Sequence, residues 1–215
     1  MQTLFPLLLA LGVGFTHAFE ADHLMAVSNI VTRRNDIRLA LKDGVFWGLG
    51  HTSTILLVGS IFMLGKLALH ESDFRFLEAG VGVMLMTLGG LRLYKLMLTP
   101  GVALAHAHTH GSLHAQERHA HGLAYGVGLI HGLAGSGALI LSVLTQIKGT
   151  GAGMLYLILF GVGSIVGMMV AAGVFSVPFS VRLLTSPMVR TTLVVLSSIV
   201  CIILGAMVVY ENALT

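Results

Sequence analysis

Four ionisable side chains fall within seven residues near the start of the chain, in the stretch GFTHAFEADHLMAVSN from Gly14 to Asn29. They are His17, Glu20, Asp22 and His23. Imidazole nitrogen together with carboxylate oxygen suits a borderline divalent transition metal, whereas magnesium and calcium ask for oxygen alone. Neutral imidazole is the commonest metal ligand. On a continuous helix, at about 100° per residue, His17, Glu20 and His23 form one stripe near 0°, −60° and −120°, while Asp22 points away at roughly +140°. Two readings without metal stand beside this one. The groups could tie helices together as a His–carboxylate network, or they could relay protons. The density of the cluster favours function over packing.

A second polar motif, FWGLGHTST, runs from Phe46 to Thr54. His51 lies eight residues beyond Asp43, and His23 lies ten residues before Arg33. At about 1.5 Å per residue, both sit roughly 12–15 Å from the same connecting loop. They are expected to face each other across a hairpin. Gly44, Gly48 and Gly50 would let its two arms approach closely, and Thr52, Ser53 and Thr54 would orient ligands from behind. In the second half, HGLAGSGAL offers His131 as a further ligand beside a tightly packed or broken helix. A histidine-rich tract, AHAHTHGSLHAQERHAH, carries His106, His108, His110, His114, His119 and His121. Alternating histidines suit an extended, flexible chain that buffers divalent metal loosely. His70, beside Glu71 and Asp73, reads as a solvated loop residue.

The elements that must hold these groups are apolar. The chain has 215 residues, 55% of them hydrophobic and 10% charged, with a mean hydropathy of +0.91. A soluble domain carries about a quarter charged residues. A span takes roughly 20 apolar residues, and six segments qualify: 4–31, 44–69, 77–98, 123–147, 151–179 and 191–210. This is an all-α membrane protein. The net charge of +3 is no nucleic-acid signal here, because in membrane proteins the placement of basic residues matters more than their sum. Arg33, Arg34, Arg38, Lys42, Arg92, Lys95, Arg118, Arg182 and Arg190 fall on one side; only Lys66, Arg75 and Lys148 fall on the other. Positive-inside logic puts the larger set, with the histidine-rich loop, in the cytoplasm and both termini outside. The one cysteine, Cys201, excludes an intramolecular disulfide and a dithiol redox centre. The eleven methionines lie mostly among Leu, Val and Gly and read as packing residues.

The chain also repeats itself. Gly12, Gly14 and His17 fall on Gly126, Gly128 and His131 at an offset of 114. GLGHTST from Gly48 falls near GVGSIVG from Gly161, and LGGLRLY near LGAMVVY. Three spans per half is an odd number, so the halves must enter the membrane from opposite sides. The expected architecture is two inverted three-helix repeats, 1–98 and 123–215, joined by the loop 99–122, with a site at their interface. Glu20, Asp22 and His23 have no acidic or imidazole counterparts in the second copy, so the first half carries most of the chemistry.

HAFEADHL resembles the HX4DH signature of the nickel/cobalt transporter family, usually close to H-A-x-D-A-D-H-I. His17, Asp22 and His23 fill its named positions, and Glu20 stands for the family's additional acid. FWGLGHTST resembles the family's second motif, with His51 as its histidine. The whole chain is similar to the short, six-span branch of urease-accessory and nickel-permease-like proteins. It lacks the acid-containing Asp-Thr motifs that longer members carry in their second half. The resemblance implies a permease of the inner or plasma membrane, not an enzyme and without a prosthetic group. Ni²⁺ or Co²⁺ would be its substrate, and cytoplasmic metal chaperones or metalloenzyme maturation proteins its partners. Exporters of the family typically read H-x-x-x-P-G-H where this chain has Ala21–Asp22, so import is implied. An exporter on the same scaffold is one alternative. A membrane enzyme or subunit built on the metal centre is another, but the sequence shows no substrate cavity for it.

Overall fold

Asp36 starts the longest helix. Its carboxylate accepts the backbone N–H of Arg38 at 2.8 Å, and its carbonyl accepts that of Ala40, which satisfies donors a helix start would otherwise leave open. Similar punctuation between apolar runs opens other helices of the computed structural model. It describes residues 4–31, 36–65, 72–98, 113–134, 147, 149–177 and 187–213. Among them are seven helices: α1 (Leu4–His17), α2 (Ala21–Val31), α3 (Ile37–Gly65), α4 (Ser72–Leu98), α5 (Leu113–Ala134), α6 (Thr150–Ser176) and α7 (Pro187–Ala213). Gly149 precedes α6 with φ of 104°, a left-handed conformation that favours glycine. Pro187 opens α7, where its missing N–H costs nothing.

Among the described residues, four helices are long and apolar enough to cross a membrane: Ile37–Gly65, Phe74–Leu98, Thr150–Ser176 and Thr191–Ala213. The expected first span, 4–31, is not continuous; it divides into α1 and α2 at residues 18–20. Of the expected fourth span, α5 covers the start as far as Ala134, and residues 135–146 lie outside the described residues.

The layering is that of a protein solvated by lipid. Leu57, Phe76, Met97, Leu196 and Ile203 are exposed, while His17, His23, His51, His131, Asp43 and Arg92 are buried. Buried polar groups are the informative ones, and here they concentrate inside. Helix α3 is the central post, packed on α6 and α5, with α1 also packed on α6 and α4 paired with α7. Short α2 touches α3, α4, α6 and α7.

Glycines set these close approaches. A Cβ at Gly44 or Gly48 would collide with Met168 or Ile165 of α6, and one at Gly50 with the carbonyl of Tyr125 in α5. These three glycines therefore seat α3 on α6 and α5, not on the first hairpin arm as expected. The hairpin arms meet instead through their histidines.

Arg92 is a second correction. Counted from sequence among the cations that set the orientation, it is only 6% exposed within α4. It donates to Asn29 Oδ1 at 3.2 Å and Ser197 Oγ at 3.1 Å. It thus fastens α2 to the α4–α7 pair.

Candidate metal centre

The site is built on the break between α1 and α2. Two tight turns close α1, with the N–H of Phe19 on Thr16 O at 2.9 Å and that of Glu20 on His17 O at 3.1 Å. The carbonyl of Glu20 then accepts Leu24 N–H at 2.9 Å and starts α2. Asp22 falls in the first turn of the new helix, where a negative charge is favoured by the helix dipole. The wheel drawn for a continuous helix does not hold. The turns at 18–20 re-aim α2, so Asp22 and His23 both point at the space beside His17.

The result is a nest of imidazoles. His23 is the centre: its ring lies 4.4 Å from that of His17, 5.2 Å from His51 and 4.0 Å from His131. His17 and His51 are 5.3 Å apart. Ligand atoms of His17, His23 and His51 all fall within 4.8 Å of one another, and so do those of Asp22, His23 and His131. His23, His51 and His131 are fully buried and His17 nearly so. The expected meeting of His23 and His51 across the hairpin is what the structure has.

Asp22 decides which nitrogens are available. His23 Nδ1–H donates to Asp22 Oδ1 at 3.0 Å, and His131 Nε2–H donates to Asp22 Oδ2 at 2.9 Å. Each bond fixes a tautomer and leaves the other ring nitrogen as a lone pair. Those nitrogens, His23 Nε2 and His131 Nδ1, are buried without a hydrogen-bond partner, as are both nitrogens of His51 and Nε2 of His17. Each buried polar atom left this way costs about 1–3 kcal/mol, and a cation among them would satisfy several at once. Glu20 Oε1 comes within 2.9 Å of His17 Nδ1, but the carboxylate is more than half exposed and lies outside both close-packed groups.

Aromatic walls close the nest on two sides. The ring of Trp47 lies 5.6 Å from His23 and 5.8 Å from His131, and that of Phe160 lies 5.4 Å from His17. Sequence reasoning missed both, because an aromatic residue in an apolar run carries no signal of its neighbours. The hydroxyls expected to orient ligands do something else. Thr52 donates to Gly161 O at 3.2 Å, Ser53 to Leu49 O at 2.7 Å and Thr54 to Leu129 O at 3.0 Å. Hydroxyls in helices turn to backbone carbonyls when these are in reach.

The histidine-rich tract divides. His106, His108, His110 and the loop residue His70 lie outside the described residues. His114, His119 and His121 belong to α5, which begins at Leu113. Residues 113–122 are thus helical rather than extended, since LHAQER is rich in good helix formers. His121 is fixed, with Nδ1 at 2.6 Å from Asp43 Oδ1.

Fold and site together define a helical membrane protein with a buried cluster of four imidazoles, two of them bonded to one carboxylate. The chain is 35% identical over 176 residues to the urease accessory protein UreH of Bacillus sp. (strain TB-90), across 78% of this chain and 75% of the relative. It is 39% identical over 75 residues to the high-affinity nickel transport protein of Cupriavidus necator (strain H16), which is 34% of this chain and 21% of that protein. The chain belongs to this family of nickel/cobalt permease-like proteins, whose named relatives are a transporter and an accessory protein rather than enzymes. No protein-family model and no solved structure matches it.

Proposed function

We propose that the protein is a permease of the cell membrane that imports Ni²⁺, with Co²⁺ as a second candidate substrate, through the histidine cluster. The observation that carries this reading is the set of unpaired lone pairs on His17, His23, His51 and His131, gathered around His23 among apolar helices. The nickel transport named for one relative supplies the substrate class. His17, His23, His51 and His131 take the ion, Asp22 orients two of the rings, and Glu20 helps at the edge through His17. The cluster is rich in nitrogen, which suits nickel and cobalt better than magnesium or calcium.

The architecture in this reading is six spans in two inverted repeats, with the termini outside and the histidine-rich stretch in the cytoplasm. Paired close approaches support it. A Cβ at Gly14 would strike the carbonyl of Phe160, and one at Gly128 the carbonyl of Trp47. One at Gly163 would strike Leu11 O, and one at Gly50 Tyr125 O. Each pair is related by the same shift of 113 or 114 positions. The imported ion passes to cytoplasmic metal chaperones or metalloenzyme maturation proteins.

The test is Ni²⁺ flux into proteoliposomes of known orientation, alongside equilibrium Ni²⁺ binding to purified protein. High-affinity binding is expected to survive replacement of His106, His108 and His110 by alanine and to vanish in His23→Ala. Binding that disappears with the tract instead would place the ion elsewhere. Outward flux alone would reverse the direction proposed.

A further inference from the structure

Outside the cluster, one buried carboxylate is paired with an imidazole. Asp43 is 1% exposed and accepts from His121 Nδ1–H at 2.6 Å, while the His121 side chain is 16% exposed. The ring of Phe46 stacks on His121 at 5.0 Å and 15°. His121 is therefore held both at its edge and on its face. The tautomer set by Asp43 leaves Nε2 as a lone pair, and that nitrogen has no hydrogen bond among the described residues. A carboxylate fixing one imidazole nitrogen so that the other can ligate is the usual support of a metal-binding histidine.

The placement is equally specific. Helices α3 and α5 run in the same direction, because Gly128 meets Trp47 while Gly132 meets His51 further along both. Asp43 precedes His51 by eight residues and His121 precedes His131 by ten. At about 1.5 Å per residue, the pair lies roughly 12–15 Å from the cluster along the same helix interface. That direction leads to the end of α3 bearing Arg38 and Lys42, and to the start of α5, where the histidine-rich stretch arrives. Between the two lies Trp47, whose ring packs on His23 and His131 while its neighbour Phe46 packs on His121.

We propose that Asp43 and His121 form a second, weaker station for the same borderline divalent cation, reached from the cluster past Trp47 and emptying toward the histidine-rich stretch. It rests on the transport reading above. A bare helix clamp would need Asp43 paired, but not an imidazole oriented on two sides with its ligating nitrogen left open. One imidazole, completed by water, binds more weakly than four, and a conduction path needs a site the ion can leave.

Two measurements test it on the full-length protein. Wild type is loaded with Cu²⁺ as a probe for imidazole sites, ascorbate is added, and oxidised histidines are mapped by peptide mass spectrometry. Oxidation at His121 is expected, at higher Cu²⁺ than the cluster requires, and is expected to fall sharply in Asp43→Asn. In proteoliposomes, His121→Gln should slow Ni²⁺ flux about tenfold while equilibrium binding at the cluster changes less than about twofold. An unoxidised His121 in wild type, or oxidation indifferent to Asp43→Asn, overturns the station. So does normal flux in His121→Gln. Wild type that moves no Ni²⁺ sinks the transport reading instead, and the oxidation pattern still decides whether this pair binds metal.

Discussion

At Gly14, α1 lies on α6 with no room for a Cβ against the carbonyl of Phe160; at Gly128, α5 lies on α3 with none against that of Trp47. The two contacts are built alike, but the side chains beside them differ. On α3, one turn past Trp47, stands His51, buried with both ring nitrogens unpaired. On α6, one turn past Phe160, stands Ser164, buried with its hydroxyl bonded to Gly14 O at 3.1 Å. One region leaves polar atoms open and the other closes them. The first is suited to hold an ion, and the second is suited to hold a helix. Backbone approach and chemistry are thus separable in this molecule, since the same glycine-on-carbonyl contact serves both.

The largest expected effect is at the shared ring. His23 belongs to both close-packed groups, so His23→Ala should weaken equilibrium Ni²⁺ binding by more than the ~10–100-fold typical of losing an outer supporting group. Isothermal titration checks this. Binding within about threefold of wild type would mean that the ion sits elsewhere and the contrast between the two regions is not chemical.

The matched glycines come next. Gly14→Ala and Gly128→Ala each push a methyl group into a facing carbonyl, and overpacking of this kind costs about 1–3 kcal/mol. Both should lower the Tm, by similar amounts. A large loss at one position and none at the other would break the structural half of the comparison.

His51 should respond with the opposite sign. His51→Leu keeps roughly the volume but removes two unpaired nitrogens, so the metal-free protein should be unchanged or more stable by about 1 kcal/mol. Ligand that binds the folded state raises its stability in proportion to the logarithm of concentration over Kd, so the Tm gain on adding Ni²⁺ should shrink or vanish. A metal-free protein clearly destabilised by this substitution would make His51 a packing residue like Ser164.

Much of this contrast is visible in the sequence, and its limits are physical. His17, Asp22, His23 and His51 announce themselves because ionisable groups are costly in apolar helices. The depth of His23 and His51 follows from counting residues at a fixed rise. The break at 18–20 does not: HAFEAD holds no glycine or proline, and the turn shows only in which backbone groups pair. The partners of Gly44, Gly48 and Gly50 were also out of reach, since small residues reveal that a helix approaches but not which one. Arg92 counted only as a charge near a span end, where charge is ordinarily exposed; Asn29 and Ser197, distant in sequence, are what hold it buried. His121 looked like one more member of a loose tract until Asp43, 78 positions away, was placed beside it.

The smallest effect tests the second region by itself. Ser164 Oγ donates to Gly14 O across the α6–α1 contact and is fully buried. Ser164→Ala removes that one neutral hydrogen bond, worth about 0.5–1.5 kcal/mol net, and leaves every imidazole of the cluster in place. The Tm should fall slightly while Ni²⁺ affinity stays within about twofold. If Ser164→Ala weakens Ni²⁺ binding tenfold with little loss of stability, the hydroxyl acts in the cluster's chemistry, and the region assigned to holding a helix also helps to hold the ion.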